Sequence, residues 1–138
     1  MENCSNGAVA GAVRIWLKCE GLAVLVLSEL HYRYTHTNWW TFGIFLLTPD
    51  LSMLAYLANP RAGSISYNIV HSYVLPVALA IFAVATDRAA TAPYLLIWTA
   101  HIGMDRALGY GLKYPVGFWS THIDSLRRKS TSARATAI

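Results

Sequence analysis

Charge is scarce in this sequence. Seven acidic and eleven basic side chains make 13% of 138 residues, while 55% are hydrophobic. An ordinary soluble domain carries about twice that charged fraction. Helices this apolar have no polar face to offer water, which argues against a soluble helical bundle. Cysteine is also rare: Cys4 and Cys19 belong to no C-x-x-C pair, so free thiols are expected and no disulfide framework. A cleavable signal peptide is not expected either. Lys18 and Glu20 interrupt the first apolar run, and no small-residue cleavage site follows it. No internal repeat is evident.

What is present is a set of four apolar runs, over residues 13–34, 39–58, 67–86 and 92–112. Each approaches the roughly 20 residues needed to cross a hydrocarbon core. The stretches between them, "THTN", "NPRAGSIS" and "DRAATA", hold the Asn, Pro, Gly, Ser and Asp of turns. The expected fold is therefore all-α, a polytopic integral membrane protein with four transmembrane helices in one bundle. Residues 1–12 read as a small-residue lead-in, 13–119 as the transmembrane domain and 120–138 as a basic tail.

The net charge of +4 is explained by its position along the chain without invoking nucleic acid. Arg14, Lys18, Arg61, Lys113, Arg127, Arg128, Lys129 and Arg134 fall on one side of a four-span topology, against Arg33 and Arg88 on the other. The positive-inside rule then puts both termini in the cytoplasm and the protein in the inner membrane. The tail "SLRRKSTSARATAI" suits anionic lipid headgroups. Tyr32, Tyr34, Trp39 and Trp40 are expected to form one interfacial belt, with Tyr110, Tyr114, Phe118 and Trp119 forming the other. Lys113 marks the inner boundary. Gly109, Gly111 and Gly117 permit close helix packing.

Ionisable residues inside spans face a bundle interior or a wet cavity. Here they are Glu20 and Glu29, Asp50, His71, and the group His101, Asp105 and Arg106. At about 1.5 Å per residue, Glu20, Asp50, His71, His101 and Asp105 share one layer near or below the midplane. His101 and Asp105, four apart, project from one helical face. Asn68, His71 and Ser72 form another stripe. Pro49 frees a carbonyl just before Asp50 and marks a kink. Imidazole and carboxylate together are the ligand set of Zn²⁺, Mn²⁺ or Fe²⁺. Spacing alone leaves three readings open: a metal or catalytic site, a structural helix–helix network, and a proton or ion pathway. Thr121 and His122 lie where they can reach back over the pocket mouth.

The blocks "CEGLAVLVLS", "TPDLSMLAYLANPRAGSISYNIVHSY" and "LIWTAHIGMDRALGYGLKYPVGFWSTHI" resemble a bacterial family of small integral-membrane proteins catalogued as domain of unknown function 4260. That resemblance implies topology and no activity. Pro49-Asp50, His71-Ser72 and His101…Asp105 also follow, in order, a pattern similar to membrane-bound metal-dependent hydrolases. Where those carry a second Asp and an additional His, this chain has Ser52 and Ser66, which implies a single metal or a degenerate site in place of a two-metal one. The resemblance makes Asp50, His71, His101 and Asp105 the ligands of one divalent ion. It makes Glu20 the general base or an acceptor for a ligand histidine, and Arg106 a holder of a lipid phosphate. The expected activity is hydrolysis of an ester or phosphoester in an amphiphilic substrate reached from the bilayer. Tyr67 and Asn68 are expected to support the ligands. The competing expectation is a non-enzymatic transporter subunit or structural bundle, with a homo-oligomer favoured if it transports.

Overall fold

The computed structural model describes residues 11–113. Cys4, the aromatic residues Tyr114, Phe118 and Trp119, Gly117, Thr121-His122 and the basic tail lie outside the described residues. The described chain is helical throughout its regular elements: α1 (Ala12–Tyr34), α2 (Trp39–Leu46), a 3₁₀ segment (Thr48–Leu57), α3 (Pro60–Val70), α4 (Val74–Ala85), a short 3₁₀ turn (Ala89–Thr91) and α5 (Ala92–Leu108).

Glycine brings α1 and α5 together. A Cβ on Gly21 would meet Arg106 Cβ at 2.5 Å and Gly103 O at 2.8 Å, and one on Gly103 would meet Gly21 O and Leu25 N at 2.8 Å. Only a hydrogen at both positions allows these backbones to touch. The pair is antiparallel, since the stem of Lys18 near the start of α1 lies against Gly109 at the end of α5. Arg14 and Lys18 thus sit where α5 exposes its last carbonyls, the end of the helix dipole that favours cations. At the far end, Tyr32 is fully buried against Trp39 and Phe42 and donates its hydroxyl to Asn38 O at 2.8 Å. Tyr32 is therefore a core anchor, not the belt residue expected, while Tyr34 and Trp40 are exposed.

Two departures from the expected segmentation shape the site. The stretch "NPRAGSIS", expected as a loop, is the first half of α3: Asn59 caps it by accepting Ala62 N–H at 2.8 Å, and Pro60 stands at its first turn. Asn-Pro is a helix start here because proline at that position lacks a donor the helix has no use for. The third apolar run is then split at 71–73, and α3 and α4 are bent by 43°. Trp98 Nε1 of α5 donates to Val70 O at 2.8 Å, satisfying a carbonyl at the break. α3 packs against the 3₁₀ segment, where Gly63 admits the ring of Tyr56.

The stretch Trp39–Leu57 is long and apolar enough to cross a membrane; the bent pair Pro60–Val70 and Val74–Ala85 makes a second candidate if it counts as one span. Apolar side chains are exposed on every long helix, among them Trp16, Leu27, Ile44, Leu54, Ile81 and Leu108. The buried residues include Ser64, His71 and His101 beside Tyr32, Ile97 and Ile102.

Candidate metal centre

The 3₁₀ segment positions the first side chain. The chain changes from α to 3₁₀ geometry at Leu47, Pro49 follows at its first turn, and Asp50 comes next. With three residues per turn, side chains three apart eclipse one another. Leu51, Leu54 and Leu57 accordingly form one exposed stripe, while Asp50, Met53 and Tyr56 turn partly inward.

His71 closes α3. Its backbone N–H donates to Tyr67 O at 2.8 Å and its ring Nδ1 reaches the same carbonyl at 3.0 Å. A carbonyl can only accept, so Nδ1 carries the proton and Nε2 presents a lone pair. His101 and Asp105 enter from one face of α5.

Four ligand atoms converge, all within 4.8 Å of one another. His71 Nε2 and His101 Nε2 are 3.1 Å apart. Asp50 Oδ1 stands 3.5 Å from each of these nitrogens. Asp105 Oδ2 stands 3.5 Å from His71 Nε2 and 3.7 Å from His101 Nε2. The histidines are 3% and 0% exposed, the Asp105 side chain 14%, and the Asp50 side chain 42%. Access to the centre is therefore from the Asp50 side.

The donor set fits a metal. A tetrahedron of ligands about 2.0–2.2 Å from a central Zn²⁺ has six edges of about 3.3–3.6 Å; the five separations above are close to this, and the sixth, between the two carboxylate oxygens, lies within 4.8 Å. Two imidazole lone pairs and two carboxylates facing one another at this range repel unless a cation or protons lie between them. The Nδ1 of His101 has no hydrogen-bond partner among the described residues.

Tyr67 braces the centre. Its hydroxyl donates to Asp105 Oδ2 at 3.2 Å, and its ring stacks on His71 with centroids 3.8 Å apart and planes 12° from parallel. The opposite face of the ring is left for Lys113, whose ammonium lies 4.3 Å from the Tyr67 centroid and 5.4 Å from that of Tyr56. Asn68, the neighbour of Tyr67, grips the backbone of Lys113 from both sides: Oδ1 accepts its N–H at 2.7 Å and Nδ2 donates to its carbonyl at 2.8 Å.

Lys113 is only 7% exposed. Expected only as a marker of the inner boundary, it is folded inward because Gly109, in the left-handed region at φ 98°, ends α5 and turns the chain back onto α3. Gly109 thus makes this turn as well as lying close against Lys18 of α1. Burial draws the Lys113 ammonium below the ordinary lysine range, and the carboxylates of Asp105 and then Asp50 push it back up.

Glu20 and Arg106 stand outside the four-atom cluster. Glu20 is exposed: it shares the layer of the centre, but its neighbour Gly21 is the residue that faces α5. It accepts no bond from a ligand histidine, since His71 Nδ1 is bonded to Tyr67 and His101 Nδ1 to no described residue. The stem of Arg106 packs on Gly21, and among the described residues no ion pair joins Arg106 to Asp105. Ser72 caps Val74 N–H at 3.3 Å and takes no part. A separate apolar cavity of about 590 Å³, bordered by Pro76, Val77, Ala80, Leu95, Leu96 and Thr99, opens between α4 and α5; none of the four ligands lines it.

Fold and site together define a small helical protein with a buried two-histidine, two-aspartate centre. The family model described as Domain of unknown function (DUF4260) matches residues 14–126, and the chain belongs to that family. No curated protein and no solved structure matches it.

Proposed function

We propose that this is a four-span inner-membrane protein, with both termini cytoplasmic, whose Asp50, His71, His101 and Asp105 hold one divalent ion and direct it at an ester or phosphoester of an amphiphilic substrate. The observation that carries the reading is the set of five ligand-to-ligand separations between 3.1 and 3.7 Å. They are close to five of the six edges of a tetrahedral centre of nitrogen and oxygen donors, with the Asp50–Asp105 edge within 4.8 Å, and a mixed imidazole and carboxylate set of this size suits Zn²⁺ among the candidates.

Lengths support the membrane part. α1 reaches about 35 Å at 1.5 Å per residue, and Trp39–Leu57 gains reach because its 3₁₀ part rises about 2.0 Å per residue. The exposed apolar surface and enclosed polar residues are the pattern of a protein solvated by lipid. The antiparallel contact of α1 with α5 suits an even number of crossings.

A bound divalent ion lowers the pKa of a coordinated water and polarises an ester oxygen. The chain's own groups supply the rest. The lone pair of His71 is aimed by Tyr67 O, the carboxylate of Asp105 is held by the Tyr67 hydroxyl, and burial of both imidazoles keeps bulk water from competing. The same 3₁₀ segment that carries Asp50 exposes Leu51, Leu54 and Leu57 on its outer side, apolar surface that suits a substrate with an apolar tail over a free sugar or nucleotide.

The test is metal analysis of protein purified in detergent without an affinity metal. One equivalent of metal in the native chain, lost in Asp50→Asn and His101→Ala, supports the reading. Native protein that neither retains nor takes up Zn²⁺, Mn²⁺ or Fe²⁺ removes it. A turnover screen of water-insoluble esters and phosphoesters with the loaded protein then tests the hydrolase part.

A further inference from the structure

The cavity of about 590 Å³ between α4 and α5 takes no part in the metal reading. Its size falls within the range of small-molecule sites, about 300–1,000 Å³. Ala80, Ala83 and Ala92 face it, where larger side chains would close the gap between the helices. The space has two zones. At one end stand His31 and Tyr34 from the last turn of α1, and Asp87 and Arg88 from the turn after α4. Below this rim the walls are apolar except for Thr99, whose hydroxyl donates to Leu95 O at 2.8 Å and needs no partner from an occupant.

An occupant must match both zones. An apolar wall left empty forfeits its dispersion contacts, and water finds too few polar partners there to stay. A hydrocarbon chain fills such a space. Length points to the same occupant. The apolar walls, between Pro76 and Val84 on α4 and between Ala92 and Thr99 on α5, run about 11–12 Å at 1.5 Å per residue, and one leaflet of a hydrocarbon core of about 30 Å is about 15 Å deep. The rim carries one carboxylate and one guanidinium on adjacent residues, and among the described residues no ion pair engages either. A zwitterionic headgroup presents the complementary pair, a phosphate for the arginine and an ammonium for the aspartate. A fatty acid or an anionic lipid offers nothing to Asp87.

We propose that this cavity holds one acyl chain of a zwitterionic phospholipid, taken from the leaflet on the Arg88 side, with the headgroup phosphate at Arg88 and its ammonium at Asp87. The proposal rests on the membrane part of the reading above and is independent of the metal.

The test uses the full chain, purified from membranes in a mild detergent and read by native mass spectrometry. The expected result is one retained phospholipid per chain. Ala80→Phe, which fills the cavity, should lose it, while Leu79→Phe, beside it in sequence but not bordering the cavity, should keep it. Offered phosphatidylethanolamine and phosphatidylglycerol together, the native chain should retain the first, and Asp87→Asn should remove that preference. A native chain that prefers the glycerol headgroup, or neither, overturns the proposal. So does retention in Ala80→Phe equal to the native chain, and a lipid-free dimer would assign the cavity to a second copy instead. Should Ala80→Phe fail to fold, the native chain reconstituted with a phospholipid bearing a photoreactive group near the end of its acyl chain decides. Cross-links concentrated around Pro76 and Thr99 support the proposal, and cross-links spread over exposed apolar residues such as Trp16, Ile44 and Leu54 overturn it. Release of the chain from membranes by an alkaline wash ends the membrane reading and the proposal together, whereas a chain that stays in the membrane and binds no lipid in the cavity overturns the proposal alone.

Discussion

His71 Nε2 and His101 Nε2 face each other at 3.1 Å in the interior of the bundle, one from the end of α3 and one from the middle of α5. Residues 30 apart reach this distance because α3 stops at His71 and bends by 43° into α4.

Proton release should accompany metal uptake. Both nitrogens bind a metal only when unprotonated, so protons compete with the ion for them. Affinity for Zn²⁺ should therefore fall once the pH is low enough to protonate either ring. Calorimetry in buffers of different ionisation enthalpy measures the protons released; an affinity that stays unchanged down to the pH at which the fold is lost would rule the histidines out as ligands.

Tyr67→Phe keeps the stack on His71 and removes the hydroxyl that donates to Asp105. Zinc affinity should fall about 10- to 100-fold, the usual effect of losing a group that orients a ligand, with little change in unfolding temperature. An unchanged affinity would show that Asp105 needs no brace.

Gly21→Leu and Gly103→Leu should each separate α1 from α5, because even a Cβ meets backbone at 2.8 Å. A loss of at least about 1–3 kcal/mol is expected, read as thermal unfolding in detergent. Gly43→Leu is the control, since no atom lies within 4 Å of its hypothetical Cβ.

Asn68→Asp keeps the oxygen that accepts Lys113 N–H and loses the donor to Lys113 O. Leaving that carbonyl unsatisfied should cost about 1–3 kcal/mol and loosen the exit from α5. Proteolysis near residues 109–113 should accelerate relative to the native chain, and equal rates would show that the amide clamp contributes nothing.

Depth was legible in the sequence; phase was not. Counting residues along each apolar run puts Glu20, Asp50, His71, His101 and Asp105 at one level, and four of the five do meet. The i, i+4 pair His101 and Asp105 carries its own phase, and Pro49 flags the irregular segment that holds Asp50. Glu20 has no such partner, and only the glycine beside it hints that the neighbouring position is the one in contact. Lys113 escaped because a lysine after an apolar run normally reaches for water. The signal that points the other way is Gly109, a residue able to end a helix in the left-handed region and send the chain back. The break in the third run was hidden for a similar reason: Asn-Pro reads as a loop from composition, and only as a cap and first turn once a helix follows it.

The most direct test of the central claim is X-ray absorption at the zinc edge on the loaded native chain, compared with Asp50→Asn. The account predicts a four-coordinate spectrum, with nitrogen and oxygen ligands at about 2.0–2.2 Å, the outer-shell scattering of two imidazoles and no sulfur, and loss of bound zinc in the variant. A six-coordinate spectrum without imidazole scattering, or a sulfur shell from the exposed thiol of Cys19, would contradict it.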